Sequence, residues 1–141
     1  MCIRDRNGAH AYHATMPTDG LRKLRDVMLE MQASGFDTLC AAQQELGDRV
    51  RALLRERGIR SVAAPGFEAP GVVVSYTGDA GMHNGSAFAA AGLQIAAGVP
   101  LQCDEPADFR TFRLGLFGLD KLRHVERTMA TLAAALERVQ S

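Results

Sequence analysis

Arg110-Thr-Phe-Arg-Leu-Gly-Leu-Phe-Gly118 decides how the chain is read. Its apolar residues alternate, and alternation is the signature of a half-buried strand. Phe112, Leu114 and Leu116 fall on one face, and Thr111, Arg113, Gly115 and Phe117 on the other. The spacing predicts a strand over Arg110 to Leu116 whose aliphatic side meets helices. Arg113 then stands on the opposite face with Gly115 beside it. A guanidinium next to a residue without a side chain leaves room for a ligand. Its fork matches a carboxylate through two parallel hydrogen bonds. The alternative is an arginine paired with an acid across the sheet.

Working outward, the final segment predicts a helix from Asp120 to about Val139, with Leu122, Val125, Met129, Leu132, Leu136 and Val139 in register. Upstream, Val72 to Thr77 is β-branched and reads as a buried strand. Ile59 to Ala63 reads as a short strand, and Leu93 to Ala97 as another. Between these lie a turn-rich connection (Ala64 to Gly71), a loop (Gly78 to Gly81) and a short helix over Asn84 to Gly92. Residues 98 to 109, with Pro100 and Pro106, read as loop.

Two helices come first. From Pro17, Leu21, Leu24, Met28 and Met31 recur at helical steps, and Ser34-Gly35 ends the run. Thr18 or Asp19 can cap its start. A second helix carries Phe36, Leu39, Cys40, Leu46, Val50, Leu53 and Leu54 on one face. Its other face carries Glu45, Asp48, Arg49, Arg51, Arg55 and Glu56, and Gly58 is its stop. The predicted order is α-α-β-β-α-β-β-α. The expected fold class is α/β (α+β): two layers, a small mixed or antiparallel sheet covered by helices. Residues 1 to 10 show no periodicity and read as a disordered or non-native lead-in.

Composition narrows the function. The chain has 141 residues and suits one domain. Hydrophobic residues make up 47% and charged residues 23%, as in a globular protein rather than a disordered one. Sixteen basic and sixteen acidic residues cancel, which argues against a nucleic-acid partner. No apolar stretch is long enough for a membrane span, so no membrane partner is expected. The three cysteines, Cys2, Cys40 and Cys103, form no CxxC pair, which suits a reducing, cytoplasmic location.

Other residues offer chemistry. Tyr12 and Thr15 place hydroxyls just before the first helix, whose N-terminal end favours anions such as phosphate. The alternative is a tyrosine packed by its ring and a threonine serving as a turn residue. His10 and His13 have no third ligand near them, and His83 and His124 are isolated, so no metal is expected.

Tyr12-His-Ala-Thr-Met-Pro17, Ile95-Ala-Ala-Gly98 and Phe112-Arg-Leu-Gly-Leu-Phe-Gly118 together resemble the C-terminal part of class V aminotransferases. The alanine–glyoxylate, serine–pyruvate and serine–glyoxylate enzymes, which use pyridoxal 5'-phosphate (PLP), are the most similar. The resemblance covers about residues 11 to 139. It implies a small C-terminal domain over residues 11–141, in a fold type I homodimer. It implies that Arg113 binds the substrate α-carboxylate. It implies that Tyr12 and Thr15 bind the cofactor phosphate, reaching the neighbouring subunit's site. The substrates would be an amino acid (alanine or serine) and a 2-oxo acid (glyoxylate or pyruvate).

This sequence lacks the family's N-terminal part, with the lysine that anchors the cofactor. Its two lysines, Lys23 and Lys121, match no such position and look solvated. A fragment, inactive alone, is the expectation. Two alternatives remain. One is a stand-alone, non-enzymic anion-binding or dimerisation module. The other is a desulfurase-like class V enzyme using Cys103, which the flanking Asp104 and Glu105 disfavour as a thiolate.

Overall fold

Helical periodicity from Pro17 onward is realised as α1 (Thr18–Ser34) in the computed structural model, which describes residues 16–102 and 104–141. The chain divides after Ser34 into two units. In the first, α1 buries none of its residues, and Leu21, Leu24 and Met28 are all exposed.

The second unit, Gly35–Ser141, holds all the other elements. They are α2 (Phe36–Glu56), β1 (Val72–Tyr76), α3 (Ala80–Asn84), α4 (Ser86–Ala90), β2 (Ala96–Ala97), β3 (Thr111–Gly115), α5 (Leu119–Arg123) and α6 (Val125–Gln140). The architecture is mixed α and β, with a three-stranded sheet in the order β1-β3-β2. Both pairings are antiparallel: Val74 lies opposite Arg113, Ser75 opposite Phe112, and Ala97 opposite Phe112 on the far side.

Alternation in β3 is realised. Phe112, Leu114 and the following Leu116 are buried, and so is Val73 across from Leu114. They share a core with Leu46, Val50 and Leu54 of α2, Phe88 of α4, and Leu132 and Leu136 of α6. Phe88 and Phe112 stack with ring centroids 5.3 Å apart, within the range where aromatic pairs attract beyond area burial. Thr111 departs from the expected two-faced pattern, because it too is buried.

Several boundaries differ from the expectation. Ile59 to Ala63 forms no strand; a single bridge joins Ser61 to Ser75. The segment still lies along β1, with Val62 N–H donating to Val74 O (3.0 Å) and Tyr76 N–H to Arg60 O (3.0 Å). Pro65-Gly66 turns it away before a ladder can extend. Leu93 to Ala97 shrinks to the two residues of β2. The helix expected over Asn84 to Gly92 is realised only as α4, Ser86–Ala90; α3 precedes it, starting at Ala80 inside the expected loop, and Gly85 at φ +84° separates the two. Asp79 caps α3 by accepting from Met82 N–H at 2.6 Å. The last helix is interrupted at His124, whose φ −134° and ψ 55° lie outside helical space. The sheet is antiparallel throughout, and the realised order is α-α-β-α-α-β-β-α-α.

Helix ends are set by glycine chemistry. After α2, Gly58 N–H donates to Arg55 O (3.0 Å) and Ile59 N–H to Leu54 O (2.9 Å), a Schellman motif with Gly58 in the left-handed region. After α4, Gly92 and Leu93 repeat it on Ala89 and Phe88. Each motif turns an apolar residue, Ile59 or Leu93, back toward the core. No helix among the described residues is long and apolar enough to cross a membrane.

Arg49 joins α2 to α6 by a two-pronged pair with Glu126, at 2.5 and 2.8 Å. Across the His124 break, Asp120 accepts from Arg127 at 2.6 Å. Hydrogen bonds from these arginines hold the Glu126 and Asp120 carboxyls below the usual carboxylate range. A carboxylate with a depressed folded pKa adds stability above its unfolded pKa and loses it as pH falls through the folded value. Glu126→Gln should therefore lower Tm near pH 7 by a small, salt-sensitive amount that vanishes as pH approaches about 2. Thermal melts of the full chain across that range check this; a pH-independent difference would remove the pair from the account.

Candidate functional site

Arg113 occupies the middle strand of the sheet, opposite Val74 of β1 and Ala96 of β2. It is half-buried, on the face away from Phe112 and Leu114. Its Nε–H donates to Ala97 O at 2.9 Å. The alanines of β2 leave that edge low, so the guanidinium reaches the β2 backbone. Among the described residues Arg113 has no acidic partner, so the alternative of an ion pair across the sheet is not realised there. Nη1 and Nη2 remain as an end-on pair of donors, which is the geometry a carboxylate takes from an arginine fork. Neighbouring Gly115 is exposed, and a Cβ there would stand 3.4 Å from the Phe117 ring.

The β2 edge is held by His83 and Gly98. His83 Nδ1 lies 2.8 Å from Thr111 O, and Gly98 N–H donates to His83 O at 2.9 Å. A carbonyl oxygen only accepts, so Nδ1 carries the proton. His83 is thus a bracket between α3, β2 and β3, a role its isolation in sequence did not suggest. Gly98 packs so closely that a Cβ would overlap the Thr111 carbonyl and stand 2.6 Å from His83 Nδ1.

Tyr12 and Thr15 lie outside the described residues, as do His10, His13, Cys2 and Cys103. Lys23 is exposed on α1. Lys121 lies in α5, and its Nζ donates to Phe117 O at 3.2 Å. Cys40 is a free, exposed thiol. Among the described residues no three His, Cys, Asp or Glu side chains group as a metal site would require.

At least three cavities open on the second unit among the described residues. One of about 220 Å³ touches Gly115, Asp120, Lys121 and Arg127 above an apolar floor of Leu114, Leu116 and Leu132. One of about 370 Å³ lies between Tyr76, Phe109 and Arg110. The third, about 250 Å³, lies beside Arg51, Arg55, Arg60 and Ser75. Arg113 lines none of these.

Arg51 departs from the expectation for the second helix. Placed on the exposed face of the second helix, it is 7% exposed. Its Nη2 donates to Ala69 O (2.6 Å) and Val72 O (3.2 Å), tying α2 to the start of β1. The signal was present: position 51 is four after Gly47 and three before Leu54, both buried, so it belongs to their stripe.

Comparison with protein-family models finds no match for this chain, and comparison with characterised proteins finds none either. The functional reading therefore stands on the residues and their geometry.

Gly98→Ala should destabilise the second unit by about 1–3 kcal/mol, because β2 must retreat from β3. Urea unfolding of the full chain measures it. A wild-type midpoint would show that β2 is not held by this contact.

Proposed function

We propose that the chain is the small domain of a class V, PLP-dependent aminotransferase. Its reaction moves an amino group between an amino acid such as alanine or serine and a 2-oxo acid such as glyoxylate or pyruvate, in the cytoplasm. One observation carries the reading: Arg113 sits mid-sheet with Nε pinned to Ala97 O and its two terminal nitrogens uncommitted among the described residues. Pinning Nε limits rotation of the guanidinium, so its fork is oriented before substrate arrives. Holding the carboxylate at two points then fixes the orientation of the Cα–H bond.

The residues present do not fit the cofactor itself. Anchoring PLP takes a lysine in a desolvated or cation-flanked site. Lys23 is exposed, and Lys121 bonds a backbone carbonyl at an exposed helix start. In this reading the anchor belongs to sequence outside these 141 residues. Tyr12 and Thr15 would contact the cofactor phosphate across a homodimer. Half-buried Arg113, its terminal nitrogens uncommitted among the described residues, agrees with a substrate enclosed from the other side by such a domain. The same facts favour one second reading: without that domain, Arg113 is a non-catalytic carboxylate site.

Two experiments separate these readings. In the chain alone, pyruvate should shift the Arg113 Nε–H and Ala96–Gly98 NMR signals saturably. Arg113→Lys should weaken that binding about tenfold, because lysine offers a point charge without the fork. In a longer protein carrying this chain, the same change should lower kcat/KM about a hundredfold, through KM and kcat together. A wild-type kcat/KM would overturn the transaminase assignment, and absence of pyruvate binding would overturn both readings.

A further inference from the structure

Arg113 Nε–H donates to Ala97 O (2.9 Å), and Gly98 N–H donates to His83 O (2.9 Å). The Ala97 carbonyl and the Gly98 N–H belong to one peptide group. A trans peptide group is planar, so its C=O and N–H point to opposite sides and turn together. One stiff plane therefore carries Arg113 on its oxygen and His83 on its nitrogen.

Side-chain packing does little to fix that plane. β2 is two residues long, and both of its alanines are exposed. It pairs with β3 through Ala96 with Arg113 and Ala97 with Phe112. Upstream, Ile95 packs against the core, but downstream Val99, Pro100 and Leu101 are exposed. The downstream end of β2 thus depends on the bond from Gly98 to His83. His83 is itself well held. Its N–H donates to Asp79 O (3.1 Å), and Met82 beside it is buried. Its ring is tied to the middle strand by Nδ1–H to Thr111 O at 2.8 Å. To get there the ring crosses the place a side chain at 98 would fill, since a Cβ on Gly98 would stand 2.6 Å from Nδ1. A closed circuit results. Arg113 holds the plane, the plane holds His83, His83 holds Thr111, and two residues of β3 lead back to Arg113.

We propose that His83 is a positioning residue for the Arg113 guanidinium. It sets the tilt of the Ala97–Gly98 plane, and that tilt sets where Nε is drawn and how the terminal nitrogens are aimed. The inference rests on reading Arg113 as a carboxylate site, and adds a residue that need not touch the ligand. A side chain at 83 that leaves Thr111 O without a donor frees one end of the circuit. The plane can then rock, and the fork loses its orientation before the carboxylate arrives.

The test reads the Arg113 Nε–H by NMR in the full chain, first with no ligand. His83→Leu removes the donor to Thr111 O, whereas His83→Asn keeps one near the place of Nδ1. His83→Leu should speed solvent exchange of the Arg113 Nε–H about fivefold, the worth of one net hydrogen bond, and His83→Asn should restore it. With pyruvate added, His83→Leu should weaken binding about fivefold and His83→Asn should not. Combined with Arg113→Lys, His83→Leu should weaken binding little further, because it acts through that guanidinium. The plane is also read from its other end: in Arg113→Lys, exchange of the Gly98 N–H should rise severalfold. That measurement alters nothing at His83, so it stands whether or not His83→Leu folds. A purely structural His83 would lower the urea midpoint and leave these signals alone. Unchanged Arg113 Nε–H exchange in folded His83→Leu, or unchanged Gly98 N–H exchange in Arg113→Lys, overturns the inference. Failure of the unaltered chain to bind pyruvate overturns the carboxylate reading instead, and the exchange measurements, made without ligand, still decide the positioning.

Discussion

The pairing of β1 with β3 is the constraint on which the rest of residues 35–141 depends. Five facing pairs, Val72 with Gly115 through Tyr76 with Thr111, lock the register. A slip of one residue would turn Phe112 and Leu114 outward and Arg113 into the core. The apolar side of the pair is what α2, α4 and α6 bury. Its other side carries Arg113, and β2 lines up against that residue. Core and candidate site are thus two consequences of one register: burying Phe112 presents Arg113.

Much of this was legible because period-two and period-3.6 patterns report directly on burial. The faces of β3 and most of α2 follow from them. Leu39, Leu46, Val50 and Leu54 are buried as the spacing implies, whereas Phe36 and Cys40 on the same stripe are exposed near the helix start. What failed were features set by single dihedrals or by tertiary neighbours. Gly85 and His124 break helices whose apolar patterns continue across them. Ile59 to Ala63 has the composition of a strand, yet its partner β1 offers it only a brief edge.

The candidate site was legible in its direction and not in its detail. Alternation alone puts Arg113 on the face away from the core. Its anchor on Ala97 O could not be read, because the backbone of a two-residue strand gives no side-chain signal. His83 gave no signal for the same reason: its partner is the carbonyl of Thr111, contributed by backbone rather than by a residue type. Arg51 departs from its expected exposed position for a different cause. Its charge predicts exposure, whereas its spacing from Gly47 and Leu54 places it on the buried stripe.

Arg51 and Arg113 show how the same side chain is put to different ends by what its nitrogens touch. At Arg113 one backbone carbonyl takes Nε and leaves the terminal pair, so the fork is oriented and available. At Arg51 carbonyls take the terminal nitrogens and leave Nε, so the fork is spent on holding Pro70 and its neighbours against α2. Gly47 is part of that arrangement: a Cβ there would lie 2.8 Å from Pro70 O and 3.3 Å from Arg51 Nη1. Helix and loop can approach this closely only without a side chain at 47, and that closeness is what brings the loop carbonyls within reach of Arg51. A lysine at 51 could bond one carbonyl but could not span Gly47, Ala69 and Val72. The arginine is therefore explained as a clamp by its Nη contacts, and its charge is not. That unneutralised charge, beside a cavity walled by two more arginines, is the feature of the fold that packing leaves unaccounted for.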